Sequence, residues 1–233
     1  MKKLLFACLA ACVCTGLFAD GDYDKAIEHF KKREYDRALP FLEETVTAYP
    51  DWYPAVYFKG RCNYHLEKYK SALVDFNDAL TMEVPSEQVP NIKYYIARTY
   101  MGMEDYPKAL AMLDELSKIA PPAKQYDIFS NRAQCQLKMA RSQEKRSPDK
   151  AAQWFAKSVT SFDKAFKSKT KDPRQKTDAG FQKAWAQFRA ATLTNDLGGL
   201  KKSSGLLRRS DQTGQERKTR SRVDDQSGFP HYR

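Results

Sequence analysis

The sequence is poor in the residues that build reaction centres. Only three histidines occur in 233 residues, His29, His65 and His231. None stands with cysteines or carboxylates at a metal-ligand spacing, so no metal or cofactor is expected. The one Gly-Gly pair, at Gly198, lies between a helix end and a basic stretch, which is no setting for a phosphate-cradling loop. No Gly-x-Ser-x-Gly turn is present. Neighbouring carboxylates such as Glu43-Glu44 and Asp224-Asp225 read as solvated charge on a helix face or in a tail. Catalysis therefore has no residues to carry it, and the chain is expected not to be an enzyme. Long β-branched runs are also absent, which excludes an extensive sheet. The eleven prolines are expected between helices.

What the chain does have is a period. Tyr-x-x-Ala-Leu occurs at Tyr35–Leu39, Tyr69–Leu73 and Tyr106–Leu110, at intervals of 34 and 37 residues. A fixed interval of this size marks a helical repeat array. Around each motif, apolar residues recur at three- and four-residue steps, the helical period. In the middle unit these are Tyr57, Gly60, Tyr64, Tyr69, Ala72, Phe76 and Ala79. Small residues stand where paired helices must come close. The predicted packing residues are Ala38, Gly60, Ala72, Phe76, Ala79, Ala97, Tyr100 and Ala109.

This pattern resembles the tetratricopeptide repeat, a helix–turn–helix whose consensus has a small residue at position 8, Tyr at 17, Ala at 20, Phe at 24, Ala at 27 and Pro at 32. Unit two supplies Gly60, Tyr69, Ala72, Phe76 and Ala79 at positions 8 to 27. Unit one supplies Ala26, Tyr35, Ala38 and Pro50; unit three supplies Ala97, Tyr100, Tyr106, Ala109 and Pro121. Position 27 departs from the pattern, with Thr45 in unit one and Leu116 in unit three, and Pro85 falls one place late. The resemblance implies an all-α, right-handed solenoid of repeats over about 20–52, 53–89, 90–122 and 123–172. A capping helix over 173–197 follows. The fourth repeat requires lengthened helices or an inserted loop, because Ser158 follows Ala133 by 25 residues rather than twelve. The cap carries Phe181, Trp185, Phe188 and Ala191 on one face.

The ends differ from the middle. Lys2 and Lys3 precede an uncharged, largely apolar run from Leu4 to Ala19, which reads as a secretory signal peptide over 1–19. The protein is thus expected in the periplasm or secreted. Leu9-Ala10-Ala11-Cys12 resembles a lipobox, so the alternative is a membrane-anchored lipoprotein lipidated on Cys12. Of five cysteines only Cys62 and Cys135 follow the leader, and both are expected as buried thiols rather than a disulfide. Residues 198–233 read as a basic, disordered tail. From 201 on they hold nine Lys or Arg and four Asp or Glu, a net +5 of the chain's +11. Membrane contact is possible through that tail or Cys12. Nucleic acid is not expected, since the excess charge lies in the tail and not on a folded stripe.

The resemblance also implies a function. In this family the first helix of each repeat lines a concave groove through positions 2, 5, 9, 12 and 13. Carried over, these positions give a protein-binding groove of Tyr57, Arg61, Tyr64, His65, Tyr94, Arg98 and Met101. Tyrosine and arginine are enriched where proteins meet. The expected role is a non-enzymatic scaffold of the cell envelope that binds a protein or peptide, preferably acidic. The alternative is a structural subunit of an envelope assembly held by Cys12 lipid. N-terminal sequencing of the exported protein should find Asp20 first. Fatty-acid label on Cys12 would instead place the chain among lipoproteins.

Overall fold

The computed structural model describes residues 22–170, 172–205 and 207–208. Among them, helix is the sole regular element. The helices are α1 (22–31), α2 (Tyr35–Ala48), α3 (Tyr53–His65), α4 (Tyr69–Thr81), α5 (Val89–Gly102), α6 (Tyr106–Ile119), α7 (Pro122–Gln143), α8 (Pro148–Lys167), α9 (Pro173–Leu193) and α10 (197–205). The chain divides into two compact units, Met1–Leu116 and Ser117–Arg233. The signal peptide over 1–19 and most of the tail, 209–233, lie outside the described residues.

In the first unit the repeats share one turn. Arg33, Glu67 and Glu104 adopt left-handed backbone, with φ of 63°, 58° and 60°. Each lies two residues before the repeated tyrosine. In each, the next residue's N–H reaches back five places: Glu34 to His29 O, Lys68 to Asn63 O and Asp105 to Tyr100 O, at 3.0, 2.8 and 2.9 Å. That bond satisfies a carbonyl the ending helix would leave unpaired. Left-handed backbone disfavours residues other than glycine, so three such turns in register fix where each second helix begins. Proline punctuates the helix starts: Pro54, Pro90, Pro122, Pro148 and Pro173 occupy first-turn positions, where the missing N–H costs nothing. Pro40 departs from the expected placement, since it lies inside α2, on the exposed side.

Helix pairing follows the small residues. Ala26, Ala38, Ala72, Ala79, Ala97 and Ala109 have no exposure, and Phe76 is fully buried with them. Tyr100 is partly buried against the cluster built from Val56, Ala72, Phe76, Ala79, Ile92 and Ile96. Gly60 is buried too, and a Cβ on it would stand 2.8 Å from the Phe76 ring. The repeats therefore use matched pairs: glycine opposite phenylalanine in the second, and Ala26 with Leu42 or Ala97 with Leu113 at the equivalent places. One polar contact joins the same two helices. Asp75 on α4, only 4% exposed, accepts from Lys59 Nζ and from Asn63 Nδ2 on α3, each at 2.7 Å. Asn63 stands where unit three has Tyr100, three residues after the small residue, and sequence reading did not foresee the pair.

The second unit is built from longer helices. α7 has 22 residues and α8 has 20, and both continue unbroken, so the fourth repeat is lengthened and not interrupted by a large loop. α8 packs on α7 and on α9. Phe155 and Phe162 fill the centre, with Trp185 edge-on to Phe155 at 5.7 Å. α9 covers α8 as expected of a cap, but through alanine. Ala179, Ala184, Ala186 and Ala191 are buried, whereas Phe181, expected on the buried face, is 41% exposed. α9 ends at Leu193, before the Gly-Gly pair. Asn195 then takes φ 52° and Asp196 N–H reaches back to Ala191 O at 2.9 Å, the turn of the first unit over again. α10 follows, its start capped by Asp196 Oδ1 accepting from Gly199 N, and its Ser203 is buried. The expectation that disorder begins at 198 therefore fails for 198–205: Gly199 fits close against Ala191, and the capped turn holds the helix.

Cys62 and Cys135 are free, buried thiols, and burial pushes each up to about 12. The matched Gly60–Phe76 pair is testable. Gly60→Ala and Phe76→Leu should each destabilise the first unit, by overpacking and by a cavity. The double variant copies the neighbouring repeats. By urea denaturation it should be more stable than the two single losses imply, by about 0.5–3 kcal/mol. Plain additivity would show that the close approach does not limit the fit.

Candidate functional site

The first helices of the first unit, α1, α3 and α5, bring Tyr57, Arg61, Tyr64, His65, Tyr94 and Arg98 to one cluster. Position 9 of the second and third repeats places Arg61 on α3 and Arg98 on α5. The Arg61 guanidinium lies among four rings: Phe30 at 4.4 Å, Phe58 at 4.8, Tyr95 at 5.0 and Tyr57 at 5.4. Arg98 lies against Tyr64 at 4.9 Å, Tyr95 at 5.7 and Tyr94 at 5.8. Each such contact is attractive because the ring face is electron-rich. Neither arginine joins an ion pair among the described residues, although Arg37, Arg174 and Arg189 do. Arg61 Nε is buried and has no hydrogen-bond partner among them.

Tyr95 links the two halves and was missed in the sequence. Its ring is 5.9 Å from Tyr57, 5.7 Å from Tyr64 and 5.6 Å from Phe76, so it touches both arginines and the core at once. Phe58 was missed with it. A signal existed: Phe58 and Tyr95 share position 6 in consecutive repeats, but the family's groove positions skip it. Met101, three residues beyond Arg98, is partly buried.

His65 is placed differently from its neighbours. Its ring stacks on Tyr35 at 4.2 Å with 5° between planes. One repeat on, the Tyr69 ring lies so near Gly102 that a Cβ there would approach it to 2.5 Å. Position 13 thus receives the tyrosine of the preceding repeat, and His65 is an inter-repeat contact. Burial lowers its pKa, and Arg61, Arg98 and Arg33 lower it further; no carboxylate offsets them. The Tyr57 hydroxyl is raised to about 12, by burial first, with Arg61 opposing. Tyr23 is raised by burial also. The arrangement presents two guanidinium cations and ring faces, with the His65 imidazole beside them. Among the described residues no group of three or more His, Cys, Asp or Glu could hold a metal, and no helix is long and apolar enough to cross a membrane.

Residues 4–175 match the family described as Iml2/Tetratricopeptide repeat protein 39. The chain belongs to this family. Solved structures agree on the fold. MamA (MSR-1) is 14% identical, with a TM-score of 0.59 over 83% of this chain and 99% of that one. MamA from Desulfovibrio magneticus RS-1 is 12% identical, with a TM-score of 0.59 over 85% and 96%. A MamA RS-1 double mutant gives 13% and 0.60 over 84% and 96%. Identity this low speaks for fold alone. No curated protein matches the chain. The tetratricopeptide repeat reading of the sequence is thereby shown, and with it the all-α repeat fold.

The depressed histidine has a consequence for this tetratricopeptide protein. A base whose folded pKa is lowered binds fewer protons in the native state than unfolded, so stability rises with pH between the folded value and about 6.5. Acidifying from about pH 7.5 to 5.5 should therefore lower the urea midpoint by an amount that His65→Phe abolishes. Phenylalanine keeps a ring against Tyr35 and carries no proton. An unchanged pH slope in that variant would show that His65 is not strained by its cations.

Proposed function

We propose that this protein is a non-enzymatic scaffold of the cell envelope, and that the first-unit groove binds an acidic peptide segment bearing apolar side chains. Tetratricopeptide repeats are typically protein-interaction modules, and membership of the family supports binding over catalysis. The observation that carries the finer reading is the pair Arg61 and Arg98, held among rings with no carboxylate partner among the described residues. A guanidinium pairs with a carboxylate through two parallel hydrogen bonds, and Nε is one of the donors on such an edge. The flanking rings offer apolar area to the residues beside that carboxylate. The three charges acting on His65 are all positive, so the field there favours an anion. Export to the envelope rests on the leader at 1–19, and attachment by lipid on Cys12 is its alternative.

Cross-linking in the native envelope would identify the bound segment, and binding of that segment then tests the groove. Arg61→Met with Arg98→Met removes both charges but keeps bulk among the rings. Affinity should fall at least about tenfold, since losing a desolvated charge pair typically costs about 2–5 kcal/mol. The thermal midpoint should hold within a few degrees. Undiminished binding would move recognition to another surface.

A further inference from the structure

The second unit has a recess of about 450 Å³ between α7 and α9. Its floor is apolar and closed: Leu137, Phe162 and Ala179 are all buried. Phe181 stands at its wall with 41% of its surface exposed; of the face it was expected to share, Ala191 is buried and Trp185 and Phe188 are half-buried. A large ring left half in water beside an apolar floor marks a place where a further apolar group would be favoured. The rim is charged. Lys138 and Arg141 stand three residues apart on α7, and Asp178 faces them from α9. Neither cation is in an ion pair among the described residues, and the Arg141 guanidinium is braced on the Trp185 ring at 4.8 Å. Asp178, Asp127 and Asp172 all act on Tyr126 at one end of the recess, so the positive end is the one that carries Lys138 and Arg141.

We propose that this recess is a second binding site, taking an aromatic side chain of a partner protein that carries a carboxylate next to it. The ring sits on Phe162 and Leu137 and covers Phe181. The carboxylate meets Lys138 and Arg141, away from Asp178. The volume suits one aromatic residue and its flanking backbone and excludes a whole helix. The site is in a different unit from the arginine groove and does not depend on it.

The probe is acetyl-Asp-Phe-amide, titrated to millimolar concentration into the ¹⁵N-labelled full chain, with acetyl-Lys-Phe-amide as its charge-reversed control. Saturable shifts are expected at the amides of 134–141 and 178–182, weaker with the control. Phe181→Ser, and separately Lys138→Glu with Arg141→Glu, should each weaken binding by at least about fivefold. Phe181 is exposed enough that its loss should leave the thermal midpoint unchanged. Arg61→Met with Arg98→Met should not alter these shifts, which separates this site from the first. Shifts confined to 57–101, or absent throughout, would overturn the proposal. So would wild-type binding by Phe181→Ser, or by the double charge reversal.

Discussion

The close approach of two helices at one small residue sets the rest of the first unit. A side chain larger than alanine at positions 26, 60 or 97 would have to displace a buried neighbour, and at Gly60 even a methyl meets Phe76. Interiors are packed too densely for that to be absorbed freely. Once the small residue faces inward, the helical period decides which residues stand on the flank beside it. Positions one residue and four residues further round, Arg61 and Tyr64, turn toward the groove, as do Arg98 and Met101 on α5. The left-handed turns at Arg33, Glu67 and Glu104 then repeat this rotation from one pair to the next. The clustering of arginines and rings is thus a by-product of how close two backbones lie.

Arg61 serves two ends that pull against each other. Its guanidinium draws together Phe30 on α1, Phe58 and Tyr57 on α3, and Tyr95 on α5, so it ties three repeats through ring faces. Burial that secures those contacts leaves Nε without an acceptor, and an unmet buried donor is costly. A ligand oxygen on that edge would remove the cost. Arg98, against Tyr64, Tyr94 and Tyr95, shares the arrangement on the next helix. The pair explains why tyrosine is frequent here: its ring holds the cation while its hydroxyl can remain wet.

The repeat fold was legible because it rests on local periodicity. Tyr35, Tyr69 and Tyr106, with their alanines, repeat in register, and burial of the alanines follows from spacing alone. Contacts that cross from one helix to another were less legible. Nothing in the sequence pairs Asp75 with Asn63 twelve residues earlier, because a buried carboxylate and a buried amide read separately as surface residues. Tyr95 was hidden by its neighbour: Tyr94 held the groove position, and the ring that touches both arginines is the one beside it. In α9 the large residues misled. Phe181 looked like core by size, yet Phe155 and Phe162 of α8 already fill the space between the helices, and Ala179 and Ala186 are the buried α9 residues of that cluster.

The end of the described chain follows from the same geometry. The stretch after Gly198 is basic and short of apolar residues, and composition argued for disorder from that point. Composition averages over a segment, whereas a turn is made by single residues. Asn195 tolerates left-handed backbone better than most residues, and Asp196 is a strong helix cap; together they start α10. Gly199 then lets it lie against Ala191 where any Cβ would crowd both Ala191 and Asp196. α9 and α10 are therefore joined by the turn that joins α1 to α2, α3 to α4 and α5 to α6. α9 is not only a cap over α8 but also the first helix of a further pair. Of the two glycines that signalled an end in the sequence, Gly199 instead provides the close fit on which that pairing depends.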